Sequence, residues 1–432
     1  MNSPQYPSRF SPCPDGIAHI AALGRHSYSD QAAHKLANHF QNHYGHTVEV
    51  SNHANIGQVW GMQNVGAAFL IPLQNSGSGL VKEHWKYMKA IHRDSTIKIV
   101  ADINLQIQMC LCGIPNIDPT EARSVISHFQ GIRQCSRLVG TSDIGGDRRE
   151  STVTIPGALG NITQHESAAS TAEALNIVAQ RSDPTLLGLG TRESAKDHAL
   201  EIYTPDATNL PANQNITQML LLQRTHDGEG IQPQLPHHGF WLTLRNQRGA
   251  LRDLLAPIAD SGANITALHK RTMRLHQKIV EFFIELDTSE ASNVSAMAES
   301  IQEIPHVKDP LTWHSWSDRL EPPEAPSEDV HLPIDWNNLH EKVVPSEQQY
   351  IMLITPKQIA GVLHTLLNIM AKNEIDIQTF DSMTIGTKKY AFRLCVSAEH
   401  GASMHTVLQE FESSRSLTAI VLAPREKDLP EC

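Results

Sequence analysis

Three polar turns and one threonine have the residue types and spacing that chemistry needs. Thr217 lies in Asn215-Ile216-Thr217-Gln218-Met219, just ahead of Leu220 to Arg224, which reads as a strand. A hydroxyl there can donate to a reacting group or simply bond a neighbouring strand. Gly24-Arg25-His26-Ser27-Tyr28-Ser29-Asp30 closes an apolar run that begins at Ile17 and precedes helical periodicity from Gln31 to Phe40. Backbone N–H groups and the dipole at such a helix start can hold an anion, although Ser29 or Asp30 also serves as an ordinary N-cap. Gln74-Asn75-Ser76-Gly77-Ser78-Gly79 follows the buried-type strand Ala67 to Leu73, the place where open α/β sheets bind ligands, and equally a well-capped turn. Ser170-Thr171-Ala172-Glu173 opens a helix running to Gln180 with capping-box spacing.

The elements that carry these turns repeat a strand, polar turn, helix order. Strands are expected at 47–50, 67–73, 97–103 and 105–111 (two strands or one long bent one), 125–130, 151–155 and 186–190, with helices between them. That order predicts an α/β domain with mixed sheets, folded as two lobes with a cleft between them. Gly188-x-Gly190 is half of a dinucleotide fingerprint and predicts no such cofactor. Beyond a Gly-, Pro- and His-rich boundary, the stretch from Phe240 to Trp316 reads as βαββαβ, and the same order returns from Tyr350 to Leu422. A repeated supersecondary unit predicts two ferredoxin-like α+β domains. The expected divisions are a lead-in at 1–16, a catalytic domain at 17–225, a linker at 226–238, the first βαββαβ domain at 239–317, a linker at 318–348, the second domain at 349–425 and a tail at 426–432.

Length and charge bound the function. A chain of 432 residues suits roughly two to four domains. A net charge of −11, with no basic stripe, excludes a nucleic-acid partner. No apolar run approaches the roughly 18 residues that cross a bilayer, and Met1-Asn2-Ser3-Pro4-Gln5 does not resemble a leader, so no membrane partner and a cytoplasmic location are expected. The six cysteines lack framework spacing and suit reduced thiols. Cys110-Leu111-Cys112 alone, and 24 scattered histidines without a zinc pattern, predict no metal.

Taken in order, these motifs resemble the prephenate dehydratase family followed by ACT-type regulatory domains, over about residues 17–320. Leu23-Gly24 through Ser27-Tyr28-Ser29 is similar to the family's opening Gly-Pro-x-Gly-Thr-Phe-Ser, one residue shorter. Pro72-Leu73-Gln74-Asn75-Ser76-x-x-Gly79 resembles Pro-Ile-Glu-Asn-Ser-x-x-Gly. Ser127-His128-Phe129-Gln130 with Gln134-Cys135 resembles Ser-His-Pro-Gln with Gln-Cys, and Ser170-Thr171-Ala172 the family's Ser-Thr-Ala. Asn215-Ile216-Thr217-Gln218-Met219 is similar to Asn-x-Thr-Arg-Phe, with Gln for Arg and Met for Phe. Gly249-Ala250-Leu251 resembles a phenylalanine-binding loop, and His269-Lys270-Arg271-Thr272 keeps the Arg of Glu-Ser-Arg-Pro.

The resemblance implies conversion of prephenate to phenylpyruvate with loss of water and CO2, in L-phenylalanine biosynthesis, without a cofactor. Thr217 would donate to the leaving hydroxyl. Asn75, Ser76, Gln130, Ser170, Thr171, Gln218, Ser27 and Arg25 would bind the substrate, with helix-start amides on a carboxylate. A glutamine where a guanidinium held a carboxylate costs about 2 to 4 kcal/mol, and Arg25 is the expected compensating cation. His128 either takes part in the chemistry or shapes its loop. Gly249, Ala250, Leu251 and Arg271 would bind phenylalanine as effector, or the first three simply pack a helix start. The ACT-type domains would make dimer contacts, giving a homodimer or homotetramer. Two other readings are a prephenate decarboxylase that leaves the ring non-aromatic and a catalytically silent ACT-domain sensor.

Overall fold

Apolar runs that end in glycine or a polar turn become buried strands, and the hydroxyl or amide after each turn caps the next helix. In the computed structural model the first series is β1 (His19–Leu23), α1 (Tyr28–Tyr44), β2 (Glu49–His53), α2 (Ile56–Gly61), β3 (Ala67–Asn75), β4 (Gly79–Leu80), α3 (Trp85–Arg93) and β5 (Ile97–Gln106). A second series follows: β6 (Cys110–Gly113), β7 (Ser124–Ser127), α4 (Phe129–Gln134), α5 (Ser136–Val139), β8 (Gln164–Ser167), α6 (Thr171–Arg181), β9 (Leu186–Gly190), α7 (Arg192–Asp197) and β10 (Glu201–Thr204). The chain then returns as β11 (Ile216–Arg224). The structure describes residues 17–62, 67–76, 79–81, 85–94, 96–140, 157–210, 215–225, 232–245, 247, 249–272, 279–308, 312–322, 349–356, 362–373, 375–385, 389–397, 401–414 and 419–423. The expected strand at 151–155, the lead-in at 1–16, the tail at 426–432, residues 226–231 of the first linker and 323–348 of the second lie outside the described residues.

Two mixed sheets form this first part, as the α/β reading expects. In the seven-stranded sheet the order is β16 (Asp318–Leu320)-β5-β11-β3-β1-β2, with β4 on β3, and β11 runs antiparallel to both of its neighbours. The five-stranded sheet has the order β10-β6-β9-β7-β8. The continuous 97–111 stretch divides between them, β5 in one sheet and β6 in the other.

Downstream come β12 (His237–Arg245), α8 (Ala250–Ser261), β13 (Asn264–Thr272), β14 (Ile279–Asp287), α9 (Val294–Gln302), β15 (Thr312–Trp316) and the short β16 (Asp318–Leu320). The last series is β17 (Gln349–Pro356), α10 (Val362–Lys372), β18 (Asp376–Ile385), β19 (Lys389–Ser397), α11 (Gly401–Ser414) and β20 (Ala419–Ala423). Their sheets have equivalent orders, β13-β14-β12-β15 and β18-β19-β17-β20. One continuous core, including Leu254, Leu255, Leu366 and Leu367, joins the two βαββαβ units through their helices. Among the described residues no helix is long and apolar enough to cross a membrane.

The sequence reads 318–348 as a linker, yet its first residues form β16, parallel to β5 at the edge of the seven-stranded sheet. Three residues carry no periodicity; side chains on alternate faces hold this strand. Asp318 accepts from Tyr44 (3.0 Å to each oxygen) and bonds the His39 ring at 2.9 Å. Arg319 faces the other way.

On that other face the seven-stranded sheet packs against the sheet of the first βαββαβ unit. Phe69, Ile71, Leu220 and Leu222 meet Trp241, Phe283 and Trp316 in one core. Within it Arg319 Nε donates to both Asp102 oxygens (2.9 Å) and Nη2 to Glu285 Oε2 (3.1 Å). Gln218 Nε2 donates to the same two carboxylates, and Trp316 Nε1 to Asp102. Asp102 and Glu285 are fully buried. Burial works against ionised Asp102, but Arg319, His237 and the hydrogen bonds from Arg319 and Trp316 outweigh it and hold the carboxyl below the usual range. Glu285 is raised to about 7, chiefly by burial and further by the Asp102 charge, against the pull of Arg319 and Gln218. Its Oε1 has no hydrogen-bond partner among the described residues, which suits a proton there.

This arrangement sets a pH signature. Between about pH 4.5 and 7 folded Glu285 keeps a proton that the unfolded chain has released, so its contribution to stability is full below that window and lost as pH rises through it. His237, His238 and His269, each lowered to about 4 chiefly by burial, act oppositely: their contribution is lost as pH falls from about 6.5 towards 4. Glu285→Gln should therefore gain stability relative to the parent from pH 5 to pH 8, by on the order of 2 kcal/mol, in urea denaturation. An unchanged difference would mean that Glu285 holds no such proton.

Candidate active site

Thr217 is the second residue of β11 and stands opposite Asn75, the last of β3. Two strands running antiparallel bring the start of one beside the end of the other. Asn75 Nδ2 donates to Thr217 Oγ1 at 3.0 Å, to Asn215 Oδ1 at 2.8 Å and to the Ile216 carbonyl at 3.2 Å. Asn215 Nδ2 donates in turn to Gln134 Oε1 of α4, at 3.1 Å. Ser76 Oγ accepts from Ile216 N, and Ser76 N donates to the Ile216 carbonyl. Thr217 is 8% exposed, and Asn75, Ser76 and Asn215 are more deeply buried. Because Oγ1 accepts from Asn75, the threonine's own proton is aimed elsewhere.

The opening turn comes to the same end of the sheet, since β1 and β3 are parallel and both end there. Its hydroxyls chiefly knit the turn. Ser27 Oγ caps α1 by accepting from Asp30 N (3.2 Å) and donates to the Leu23 carbonyl (2.8 Å); Ser29 Oγ accepts from Leu23 N. Gly24 lies against the cap of α6: an added methyl would stand 3.2 Å from Ser170 Oγ. Thr191 Oγ1 donates to the His26 carbonyl at 2.8 Å. The turn after β1 thereby meets the second sheet's helices α6 and α7. Ser170 caps α6 by accepting from Glu173 N at 3.0 Å, the capped start expected from the sequence, while Glu173 accepts from Ala169 N, one residue ahead of the position a strict capping box uses. Thr171 and Gln130 are half-buried in the first turns of α6 and α4. Ser127 Oγ donates to the Leu189 carbonyl, tying β7 to β9.

Two expected ligands lie apart from this group. Gln218 follows Thr217, so its side chain projects from the opposite face. There it pairs with Gln74 (2.7 Å) and the two buried carboxylates. Arg25 is exposed and lines a cleft of about 470 Å³ with His26, Asp30, Gln31, His34, Lys35, Asn52 and Glu193. The cation beside Gln218 is Arg319. Asp102 and Glu285 carried a signal in the sequence, as charges inside the apolar runs of β5 and β14; Arg319, placed after the last strand of a repeat, carried none.

Gly249 caps α8 at φ 81°, a left-handed conformation that favours glycine, with Ala250 buried behind it. The Arg271 side chain lies outside the described residues. Cys110 and Cys112 are fully buried, their thiols on the carbonyls of Gly190 and Gly188 at 3.4 and 3.5 Å.

Comparison with known proteins assigns this first part. The family model for prephenate dehydratase matches residues 20–227. The bifunctional chorismate mutase/prephenate dehydratase of Escherichia coli (strain K12) is 24% identical over 297 residues, covering 67% of this chain and 68% of that one. The prephenate dehydratase of Methanocaldococcus jannaschii is 23% identical over 275 residues, covering 62% and 88%. Among solved structures, the prephenate dehydratase of Arthrobacter aurescens in complex with L-Phe aligns at 15% identity and a TM-score of 0.49, covering 69% of this chain and 90% of that one. Residues 20–227, which hold Thr217, Asn75 and the capped turns around them, are the part of the chain that is similar to the prephenate dehydratase family.

Proposed function

We propose that the chain is a prephenate dehydratase, a lyase that takes water and CO2 from prephenate and leaves phenylpyruvate. The observation that carries this reading is the Asn75 amide donating to Thr217 Oγ1 at 3.0 Å. A threonine whose oxygen already accepts has one remaining good use for its hydrogen, donation to the departing hydroxyl. That contact strengthens as negative charge grows on the leaving oxygen, which is what accelerates the step. The second bond to break, to the ring carboxylate as CO2, needs no metal or redox partner; aromatisation drives it. Gln130, Ser170 and Thr171, with the backbone amides at the starts of α1 and α6, are the groups proposed to hold the two carboxylates, while Ser27, whose hydroxyl hydrogen goes to the Leu23 carbonyl, shapes the turn. Arg25, exposed in the neighbouring cleft, would act at the entrance on the approaching dianion.

No observation favours a decarboxylation that leaves the ring hydroxyl in place. That reading was motivated by Gln218, whose amide is committed on the far side of β11. For control, the Gly249-Ala250-Leu251 start of α8 is the proposed phenylalanine site, with Arg271 from β13. Support comes from the left-handed glycine and from the lack of a side-chain cap on α8 among the described residues. The βαββαβ units read as ACT-type domains, in a homodimer or homotetramer.

Prephenate incubated with the protein should give an aromatic product with the mass and ultraviolet spectrum of phenylpyruvate. Thr217→Ala should lower kcat by about 100- to 1000-fold with little change in KM, and Thr217→Ser should keep most of the rate. No aromatic product at high enzyme concentration would remove the reading.

Asn75→Ala leaves Thr217 and Asn215 without their shared donor. A kcat lower by about 10- to 100-fold, with a stability loss of about 1 to 2 kcal/mol on thermal unfolding, is expected. A variant with parental kcat would show that the orientation of Thr217 does not depend on this amide.

A further inference from the structure

The turnover of a threonine at a strand end depends on what fixes that strand. β11 has a register shift between Gln218 and Met219, where Leu73 is the extra residue on β3. A bulge interrupts the ladder on the β3 side, while pairing with β5 runs unbroken from Ile216 to Leu221, so what the backbone leaves open is how the Thr217 rung sits against Asn75. Side chains supply what the ladder lacks. Adjacent rungs project to opposite faces: Thr217 with Asn75 on one, Gln218 with Gln74 on the other. Gln218 is fully engaged, its oxygen accepting from Gln74 and its amide donating to Asp102 and Glu285.

Those two carboxylates have no place in dry protein without a cation. Among the described residues bonded to both, Arg319 is the one that carries positive charge, and its side chain is 8% exposed. It reaches them from β16, which is anchored from the opposite face by Asp318 on His39 and Tyr44. The guanidinium lies beside the Trp316 ring, 6.0 Å from its centre.

We propose that Arg319 is a positioning residue for Thr217: from the returning strand β16 it supplies the cation that position 218 lacks, and by fixing Asp102 and Glu285 it holds Gln218 and the Thr217 rung in register. The position where the family motif carries arginine and the residue that carries it here are 101 apart in sequence and share the same pair of carboxylates. The rate consequence rests on the dehydratase reading; the placement of Thr217 does not.

The test uses the full chain with labelled threonine methyl groups, the Thr217 resonance being assigned by its loss in Thr217→Ser. Arg319→Gln should shift or broaden that resonance and leave the methyls of Thr120 and Thr185, in the turns that precede β7 and β9 of the second sheet, unmoved. With prephenate it should lower kcat by about 10- to 100-fold while KM changes less than about threefold. Arg319→Lys, which keeps the charge and loses the fork, should shift the resonance in the same direction by less. The exchange Gln218→Arg with Arg319→Gln returns one guanidinium to the carboxylates and should restore both resonance and kcat. A folded Arg319→Gln with an unmoved Thr217 resonance overturns the proposal, as does an exchange that recovers the melting temperature alone. Should Arg319→Gln not fold, Arg319→Lys with a parental resonance overturns it equally. A parent that makes no phenylpyruvate would end the dehydratase reading, and the methyl resonance would still decide the role of Arg319.

Discussion

Two buried carboxylates sharing one guanidinium are the constraint on which the arrangement of the sheets depends. A β-sheet with apolar side chains on both faces must be covered twice. Here the sheet of the first βαββαβ unit covers one face, bringing Glu285 opposite Asp102. Two bare charges in that layer would cost several kcal/mol each. One proton and one guanidinium remove the conflict: Glu285 keeps the proton towards neutral pH, and Arg319 serves Asp102. The guanidinium can arrive only if the chain, after finishing the unit at β15, turns back and pairs with β5. The edge position of β16 is thus an electrostatic consequence as much as a topological one.

Strand alternation separates this problem from the chemistry. Thr217, Met219 and Leu221 face one layer; Gln218, Leu220 and Leu222 face the other. A substitution at 218 therefore alters what lies under the site and not what lies in it. On the Thr217 side the groups are neutral amides and hydroxyls, arranged as a chain from Gln134 through Asn215 and Asn75 to Thr217. Neutral donors in fixed positions need no proton exchange with solvent and cost no reorganisation as charge develops on a substrate.

Local signals were legible in the sequence and long-range ones were not. Ser27 and Ser170 announce helix starts because a cap acts within three residues, and both cap as expected. The βαββαβ repeat was legible because its strands are long and apolar. Whether Gln218 shares a face with Thr217 was equally open to the period of two, yet a family motif groups neighbours in sequence, and neighbours on a strand point apart. Arg25 was the obvious cation by nearness to the opening turn. Arg319 was not obvious, because its partners are 217 and 34 residues away and its strand is too short to show a period. The bulge at Leu73 has no composition signal either; it is set by how β3 and β11 must pair.

The same cluster bounds what any ligand of the first unit can do. Glu285 lies in the unit's β14, with Trp316 at the end of its β15 and Arg319 three residues beyond the close of that strand, so the cluster belongs to the unit and to the sheet of Thr217 at once. A ligand at the start of α8 changes Thr217 only as far as it prefers one arrangement of these strands to another; tight binding without that preference changes nothing. The second unit has no such link through this cluster. It packs helix to helix on the first through their shared core, and its β18 lies against β13 and against β3 and β4, so it reaches the strand of Asn75 directly as well as through the first unit. Control by the first unit must then appear as a change in the packing of β14 and β15, where Glu285 and Trp316 meet Asp102 and Arg319.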